Sequence, residues 1–415
     1  MNGQILRLAV IVVVAIIVRI VCFLYYQAHS GIEPFEYEII AENLIQGKGF
    51  IIGVHGAIQR AAIAPVYPAL CAIIYLLLGH HHSLVIFLQI AFNAGICIVI
   101  FSIARRIFDL KCAYFSAILV ALHPGMIIYS ATKLHSLSFY SFLICGSILL
   151  LVISLKRNKL SHKIILGILS GICVLERATF LPFFVLAWVW LLYYSIDKKE
   201  AKNTIIISII SVILIVSPWV IRNTIIFKRF VFIQTNQWWG FWAGNNPKSS
   251  GTLYMPSGKT AIEESPEEFH KKLFSLDEIG QMELFKTTAL TFVRKHPVKF
   301  GILTAKKFYY FWWFSPQAGF LYPSAYLAWY KIYYSVVLLF SIIGLIVAFY
   351  IKIARPLINL ILLLFISNSI LHSFYYLEGR HRWSMEPLLF IFFSFGFFKT
   401  SVYIRKLIYN VRKRN

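Results

Sequence analysis

Acidic residues are scarce in this chain. Only 17 Asp and Glu stand among 415 residues, against 40 Lys and Arg, and charged residues make up 14% of the whole. A soluble globular domain carries about 25% charged residues, so that class is excluded by shortage alone. Nucleotide-binding signatures are missing too: there is no Walker motif and no Gly-x-Gly-x-x-Gly with an acidic partner, which speaks against an ATP-driven pump. Cys22, Cys71, Cys97, Cys112, Cys145 and Cys173 lie in or beside apolar runs without metal-ligand spacing. They read as small buried hydrophobes rather than disulfides. No tandem repeat or low-complexity linker interrupts the chain.

Apolar residues are abundant instead: 59% hydrophobic and 17% aromatic, with a mean hydropathy of +0.73. The formal net charge of +23 would suggest nucleic acid in a soluble protein. Here the bases sit between apolar runs, the pattern by which a polytopic membrane protein sets its orientation, so the bilayer and not nucleic acid is the expected partner. Runs near residues 4–26, 83–104, 112–130, 135–154, 164–176, 179–195, 203–221, 329–351, 356–372 and 386–403 predict an all-α polytopic membrane protein with about ten transmembrane helices. The first run is expected to remain as a span, since no small-residue cleavage site follows it. Residues 64–78 and 304–314 are too short to cross ~30 Å of hydrocarbon and are expected at the interface. One face then collects Arg105, Arg106, Lys156, Arg157, Lys198, Lys199, Lys352 and the basic tail, which the positive-inside rule makes cytoplasmic together with both termini. Three parts follow: an N-terminal module over 1–222 with a large first outer loop at 27–82, an outer-face segment over 223–303, and a C-terminal module over 304–415.

Within the first outer loop, Pro34 suits a helix start and Gly47 a helix end. Tyr37, Ile40, Ala41 and Leu44 share one face between them and Glu38 and Glu42 another, which predicts an amphipathic helix along the membrane surface. Glu33 stands where the chain leaves the first span. A carboxylate fixed there can take a proton from an acceptor, or it can simply cap the helix.

Glu33, three residues, Tyr37, then Ala41-x-Asn43-Leu44 and Gly47-x-Gly49-Phe50 resembles the first outer loop of the polyprenyl-phosphate-sugar glycosyltransferases of the C-type fold, the superfamily of protein O-mannosyltransferases and lipid A aminoarabinose transferases. The resemblance runs along nearly the whole chain. It takes in Arg60 with Pro65-Val66-Tyr67-Pro68, Gly79 and Gln89, His123-Pro124 with Ser130, Gly171 through Arg177, and Pro218-Trp219 through Asn223. Gly244-Asn245-Asn246-Pro247 and Glu378-Gly379-Arg380-His381-Arg382 complete it. Two departures stand out. Glu33 replaces the usual Asp, lengthening the side chain by one methylene, and His135 stands where the second outer turn normally carries Asp or Glu.

The resemblance implies inverting transfer of a sugar from a polyprenyl phosphate to an acceptor glycan, lipid or protein, on the outer face of a bacterial inner membrane. Glu33 is the implied base, with Glu36 and His135 in reserve. Arg60, Arg222, Arg380, Arg382 and Lys306 are the candidate cations for the donor phosphate, since guanidinium is always charged and binds phosphate bidentately. Tyr37, Tyr67, Asn245 and Asn246 are the candidate sugar or acceptor contacts. Each has a plainer reading as well: Arg222 snorkelling at a span end, Lys306-Lys307 as an interfacial anchor, Glu176-Arg177 as an ion pair at a turn. His80–His82 read as solvated loop histidines, because neighbouring histidines point apart and chelate poorly. No metal ligand set is assigned, and a divalent metal cofactor is left open. An O-antigen ligase or polymerase, a transporter of a lipid-linked substrate, and an inactive relative are the competing classes; Arg19 inside the first span is the one feature that favours transport.

Overall fold

A computed structural model describes residues 2–155, 159–320, 322–350 and 355–414; Lys156, Arg157 and Lys352, which enter the charge argument, lie outside them. Every apolar run becomes a helix. In chain order these are α1 (Asn2–His29), α2 (Glu36–Ile45), α3 (Val66–Leu78), α4 (His82–Ile107), α5 (Leu110–Ala121), α6 (Pro124–Thr132), α7 (Leu137–Ser154), α8 (Leu160–Glu176), α9 (Leu181–Tyr194) and α10 (Lys198–Phe227). They continue with α11 (Gln237–Ala243), α12 (Glu267–Phe274), α13 (Glu278–Lys295), α14 (Pro297–Trp312), α15 (Ser324–Tyr350), α16 (Arg355–His372), α17 (Arg380–Trp383) and α18 (Glu386–Arg414).

The fold is therefore an all-α polytopic membrane architecture. Among the described residues, seven helices are long and apolar enough to cross a membrane: α1, α4, α7, α10, α15, α16 and most of α18. An eighth is added if α5 and α6, bent by 45° at their junction, count as one span. The expected ten is not confirmed by length and composition, since α8 has 17 residues and α9 only 14, roughly 25 and 21 Å of helix at ~1.5 Å per residue. The two stretches expected at the interface form α3 and the C-terminal part of α14, and neither is long enough to span.

The bend between α5 and α6 explains Arg19. This side chain is fully buried within α1. Its Nη1 donates to the Ala121 carbonyl at 2.8 Å and to Ala15 at 2.9 Å, and its Nη2 to Val120 at 3.4 Å. A helix that stops inside the bilayer leaves carbonyls without partners and a negative dipole end; Arg19 supplies both donors and charge. The residue that favoured transport is thus bound to a helix terminus. Arg19→Leu is expected to lower stability by on the order of 2 kcal/mol, chiefly from the Ala121 carbonyl losing its donor, since Val120 O also accepts from His123 N–H. Unfolding in detergent measures this, and an unchanged melting temperature would refute the assignment.

In the C-terminal half, α15 and α18 cross at Gly344 and Gly396, where each glycine lies against the other helix's backbone with no room for a side chain, the small-residue contact favoured between helices in lipid.

The helix expected in the 27–82 loop forms, but Glu38, expected on its polar face, is buried with the apolar residues. Helix α2 buries Tyr37, Ile40 and Ala41 and lies against α3. After it, strands β1 (Ile52–Val54) and β2 (Ala57–Gln59) form a hairpin closed by His55 and Gly56. Both turn residues have positive φ, as a two-residue primed turn requires. The buried carboxylate of Glu278, at the start of α13, then accepts from the backbone N–H of Arg60 at 2.6 Å and Ala61 at 2.9 Å, and from Thr235 Oγ1 at 2.7 Å. One carboxylate thereby ties the first outer loop to the 223–303 segment.

Candidate active site

Glu33 reaches its place through the backbone. Its N–H donates to Thr132 O at 2.9 Å and its carbonyl accepts from Leu134 N–H at 3.1 Å, a short parallel bridge that joins the first outer loop to the turn after α6. The carboxylate, about half exposed, forms an ion pair with Lys133. The two positions at which the chain departs from the C-type pattern, Glu33 and His135, are thus brought to one turn.

That turn is held by Gln89 of α4, which is fully buried. Its Oε1 accepts from Tyr67 Oη at 2.5 Å and from His135 N–H at 3.0 Å. Its Nε2 donates to the carbonyls of Ser130 at 3.2 Å and Lys133 at 3.0 Å. All four capacities of the amide are used, so the Gln spacing seen in the sequence has a structural purpose: it sets the height of residues 130–135. Tyr67, expected at the sugar or acceptor, spends its hydroxyl here.

His135 is buried among the edges of Phe35, Tyr37 and Tyr129, with ring centroids 5.3, 5.6 and 5.4 Å away. Burial drives its pKa well below the ordinary value, and the charges of Arg380, Arg177, Lys133 and His381 add to this. The ring is therefore neutral, and Nδ1 accepts from Leu137 N–H at 3.0 Å. The proton must then sit on Nε2, which makes His135 a hydrogen-bond donor rather than a base.

Three cations surround this neutral ring. Lys133 lies over the Tyr129 ring at 5.3 Å. Arg380 pairs with Glu378 at 2.7 Å through Nε, and its charge is felt at both Tyr37 and Tyr129. Arg177 sits over the Tyr140 ring at 4.7 Å, with Nη2 3.4 Å from Ser136 Oγ. Burial opposes the charge on Arg177, but Tyr37, Tyr140 and Glu176 more than offset it, so its pKa lies above the ordinary value. Arg177 is the residue that sequence reasoning passed over. Glu176 ends α8 and accepts from Tyr67 N–H at 3.1 Å, whereas Arg177 is extended at φ −144°. Neighbours in sequence diverge at a helix end, so the expected Glu-Arg turn pair keeps a favourable charge interaction while the two side chains make different contacts.

The remaining candidates are placed as follows. Glu36 opens α2, half-buried. Arg222 stacks on Trp219 at 4.3 Å and donates to Arg60 O at 2.8 Å, and Arg60 itself is exposed; these two side chains neighbour each other beside the β1–β2 hairpin. Arg382 is buried in a network: Nε donates to Glu386 Oε1 at 2.5 Å and Nη1 to Phe311 O at 3.0 Å, while the guanidinium covers the Tyr334 ring at 3.8 Å. Glu386 also pairs with His123 Nε2 at 2.5 Å. Arg382 is thus committed to joining α6, α14, α15 and α18, with only its Nη2 unpartnered, in a cleft shared with Tyr322, Tyr330, Trp383 and Glu378.

Lys306 is exposed, and it is Lys307 that turns inward. Lys307 donates to Asn245 Oδ1 at 2.8 Å and Gly244 O at 3.2 Å, its pKa pulled down to about 7 by burial. It is therefore no interfacial anchor. Asn245 also donates to the Phe241 and Phe374 carbonyls at 2.7 and 2.6 Å, and Asn246 to Trp242 O at 3.1 Å. Both amides are occupied in fixing the Gly-Asn-Asn-Pro loop.

Residues 62–221 match the family model of dolichyl-phosphate-mannose-protein mannosyltransferases. Over 98% of its length the chain superposes on the apo oligosaccharyltransferase of Archaeoglobus fulgidus, at a TM-score of 0.60 and 13% identity, covering 52% of that protein. The fold is that of the C-type glycosyltransferases. The oligosaccharyltransferase AglB of the same organism, in complex with an inhibitory peptide and a dolichol-phosphate, gives a TM-score of 0.60 at 13% identity, with 99% of this chain and 52% of that one covered. ArnT from Cupriavidus metallidurans, bound to undecaprenyl phosphate, gives 0.43 at 14% identity, covering 94% and 76%. The chain spans about half the length of the oligosaccharyltransferase it matches. No curated protein sequence matches it. The C-type resemblance read from the motifs is borne out at the level of fold, and the family match begins just after Arg60.

Proposed function

We propose that this chain is an inverting glycosyltransferase that moves a sugar from a polyprenyl-phosphate donor to an acceptor at the outer face of a membrane. The observation that carries the reading is the joining of a carboxylate, Glu33, to a basin where Arg177, Arg380 and Lys133 surround the neutral His135. The acceptor nucleophile attacks the sugar C1, and the bond from C1 to the phosphate oxygen breaks. The acceptor proton passes to Glu33. The phosphate, a singly charged diester in the donor, departs as a monoester carrying one more negative charge. Cations set around the leaving oxygen therefore bind the transition state more tightly than the ground state, and that difference is what accelerates a reaction. Arg177 and Arg380 take this role, Lys133 orients Glu33 by its ion pair, and His135 offers an N–H to a sugar or phosphate oxygen. Lipid-exposed faces of the spanning helices give the polyprenyl tail its apolar path. The basic loops between spans support cytoplasmic termini, a bacterial inner membrane and an outward-facing site.

Purified protein in proteoliposomes, given a panel of labelled polyprenyl-phospho-sugars and a membrane extract as acceptor, tests the reading. Label from at least one donor is expected in acceptor material. No transfer from any donor would leave an inactive relative as the better description.

A further inference from the structure

The three consecutive histidines do not behave as solvated loop residues. Gly79, at φ +88°, ends α3, and the reversal it permits sends alternate rings in opposite senses. His81 folds back over Gly79. His80 and His82 converge on Glu38 of α2: His80 Nε2 lies 3.2 Å from Glu38 Oε1 and 3.3 Å from Glu42 Oε1, and His82 Nε2 contacts the same Glu38 oxygen. One ligand atom from each of Glu38, His80 and His82 falls within 4.8 Å of the others. Helix α2 contributes both carboxylates because Glu38 and Glu42 stand one turn apart on the same face.

We propose that Glu38, His80 and His82 bind a divalent cation of the zinc type, with Glu42 able to close the shell. Two observations point to a cation. Glu38 is 5% exposed, yet its Oε2 has no hydrogen-bond partner, and the adjacent buried Tyr75 Oη has none either. A buried carboxylate oxygen without a partner is costly, and a cation held by both Glu38 oxygens, Oε1 shared with the histidines and the unpartnered Oε2, removes that cost. The donor set also fits: two imidazole nitrogens and a carboxylate are ligands that zinc accepts, whereas magnesium and calcium prefer oxygen alone. Tetrahedral zinc at ~2.0–2.1 Å from each donor places its ligand atoms about 3.3 Å apart, close to the His80–Glu38 and His80–Glu42 separations. His80 and His82 are partly exposed on the outer side, which gives the ion an entry path. Bound there, it would pin α2, which carries Tyr37 into the basin and follows Glu33, onto the α3–α4 turn. The proposal stands whether or not the chain transfers sugar.

The test uses the full chain in nanodiscs, stripped with chelator and titrated with Zn2+ alone, then with Co2+ as a spectroscopic probe. One equivalent of Zn2+ per chain is expected, with a rise in melting temperature and a Co2+ visible spectrum of four-coordinate intensity. H80A/H82A should weaken Zn2+ binding at least 100-fold and abolish the Co2+ spectrum, while H81A leaves both intact. Should the double variant fail to fold, Glu38→Gln alone serves, with the same expected loss. No saturable single equivalent, or equal binding by wild type and variants, would overturn the proposal and leave the cluster an imidazole–carboxylate ion pair.

Discussion

Replacing Glu33 by Gln is expected to reduce sugar transfer at least 100-fold while leaving the melting temperature within a degree or two of wild type. Gln keeps the shape of the side chain but cannot accept the acceptor's proton, and a positioned general base contributes on the order of 10²–10⁴ in rate. Folding is spared because Glu33 is about half exposed and its ion pair with Lys133 lies at the surface, where such pairs contribute at most about 1 kcal/mol. Its backbone bridge to Thr132 and Leu134 does not depend on the side chain. Glu33→Asp should retain part of the activity, since a retracted carboxylate can still reach through a small shift of acceptor or loop. Full activity in Glu33→Gln, measured in proteoliposomes, would move the base elsewhere. His135 is then a poor substitute, because its Nδ1 already accepts a backbone N–H and its ring is held neutral; Glu36 or Glu378 would come next.

Arg177→Met and Arg380→Met are each expected to lower kcat/KM for the donor by about 10²–10³. The loss should fall more on kcat than on KM, because the phosphate gains charge as the sugar leaves and the guanidinium interaction strengthens only then. The two effects should be less than additive, as both side chains act on one group. Arg382→Ala provides the contrast. Breaking its buried pair with Glu386 is expected to cost roughly 3–5 kcal/mol of stability, so lost activity there would accompany lost fold. A donor KM raised without change in kcat in the Arg177 and Arg380 variants would assign them to ground-state binding alone.

Much of this architecture was legible in the chain, and the limits have physical causes. The apolar runs were enough to place the long apolar helices, because hydrocarbon thickness imposes a length and backbone satisfaction imposes a helix. Periodicity located α2 and its buried face. What failed was inference from adjacency. Glu176 and Arg177 looked like partners, but one ends a helix and the other begins an extended link. His80 to His82 looked like diverging rings, but a positive-φ glycine before them brings the outer two together. The choice between Lys306 and Lys307, or between Arg380 and Arg382, rests on a helical phase that a run of aromatic and basic residues does not reveal. Asn245 and Asn246 matched a motif whose purpose here is to satisfy carbonyls of α11 and of residue 374, which lie far apart in sequence.

The contact between Arg19 and the end of α5 has a consequence for how the protein is made. During synthesis α1 enters the bilayer about a hundred residues before the carbonyls of Val120 and Ala121 exist. Through that interval a guanidinium sits in the first helix without its acceptors, at a cost of about 2.5–3.5 kcal/mol on the insertion scale. The neighbouring run of Val and Ile residues outweighs that penalty, so α1 still inserts. Only once α5 is made does the guanidinium meet the Val120 and Ala121 carbonyls, so this part of the first span is completed late in the chain's synthesis.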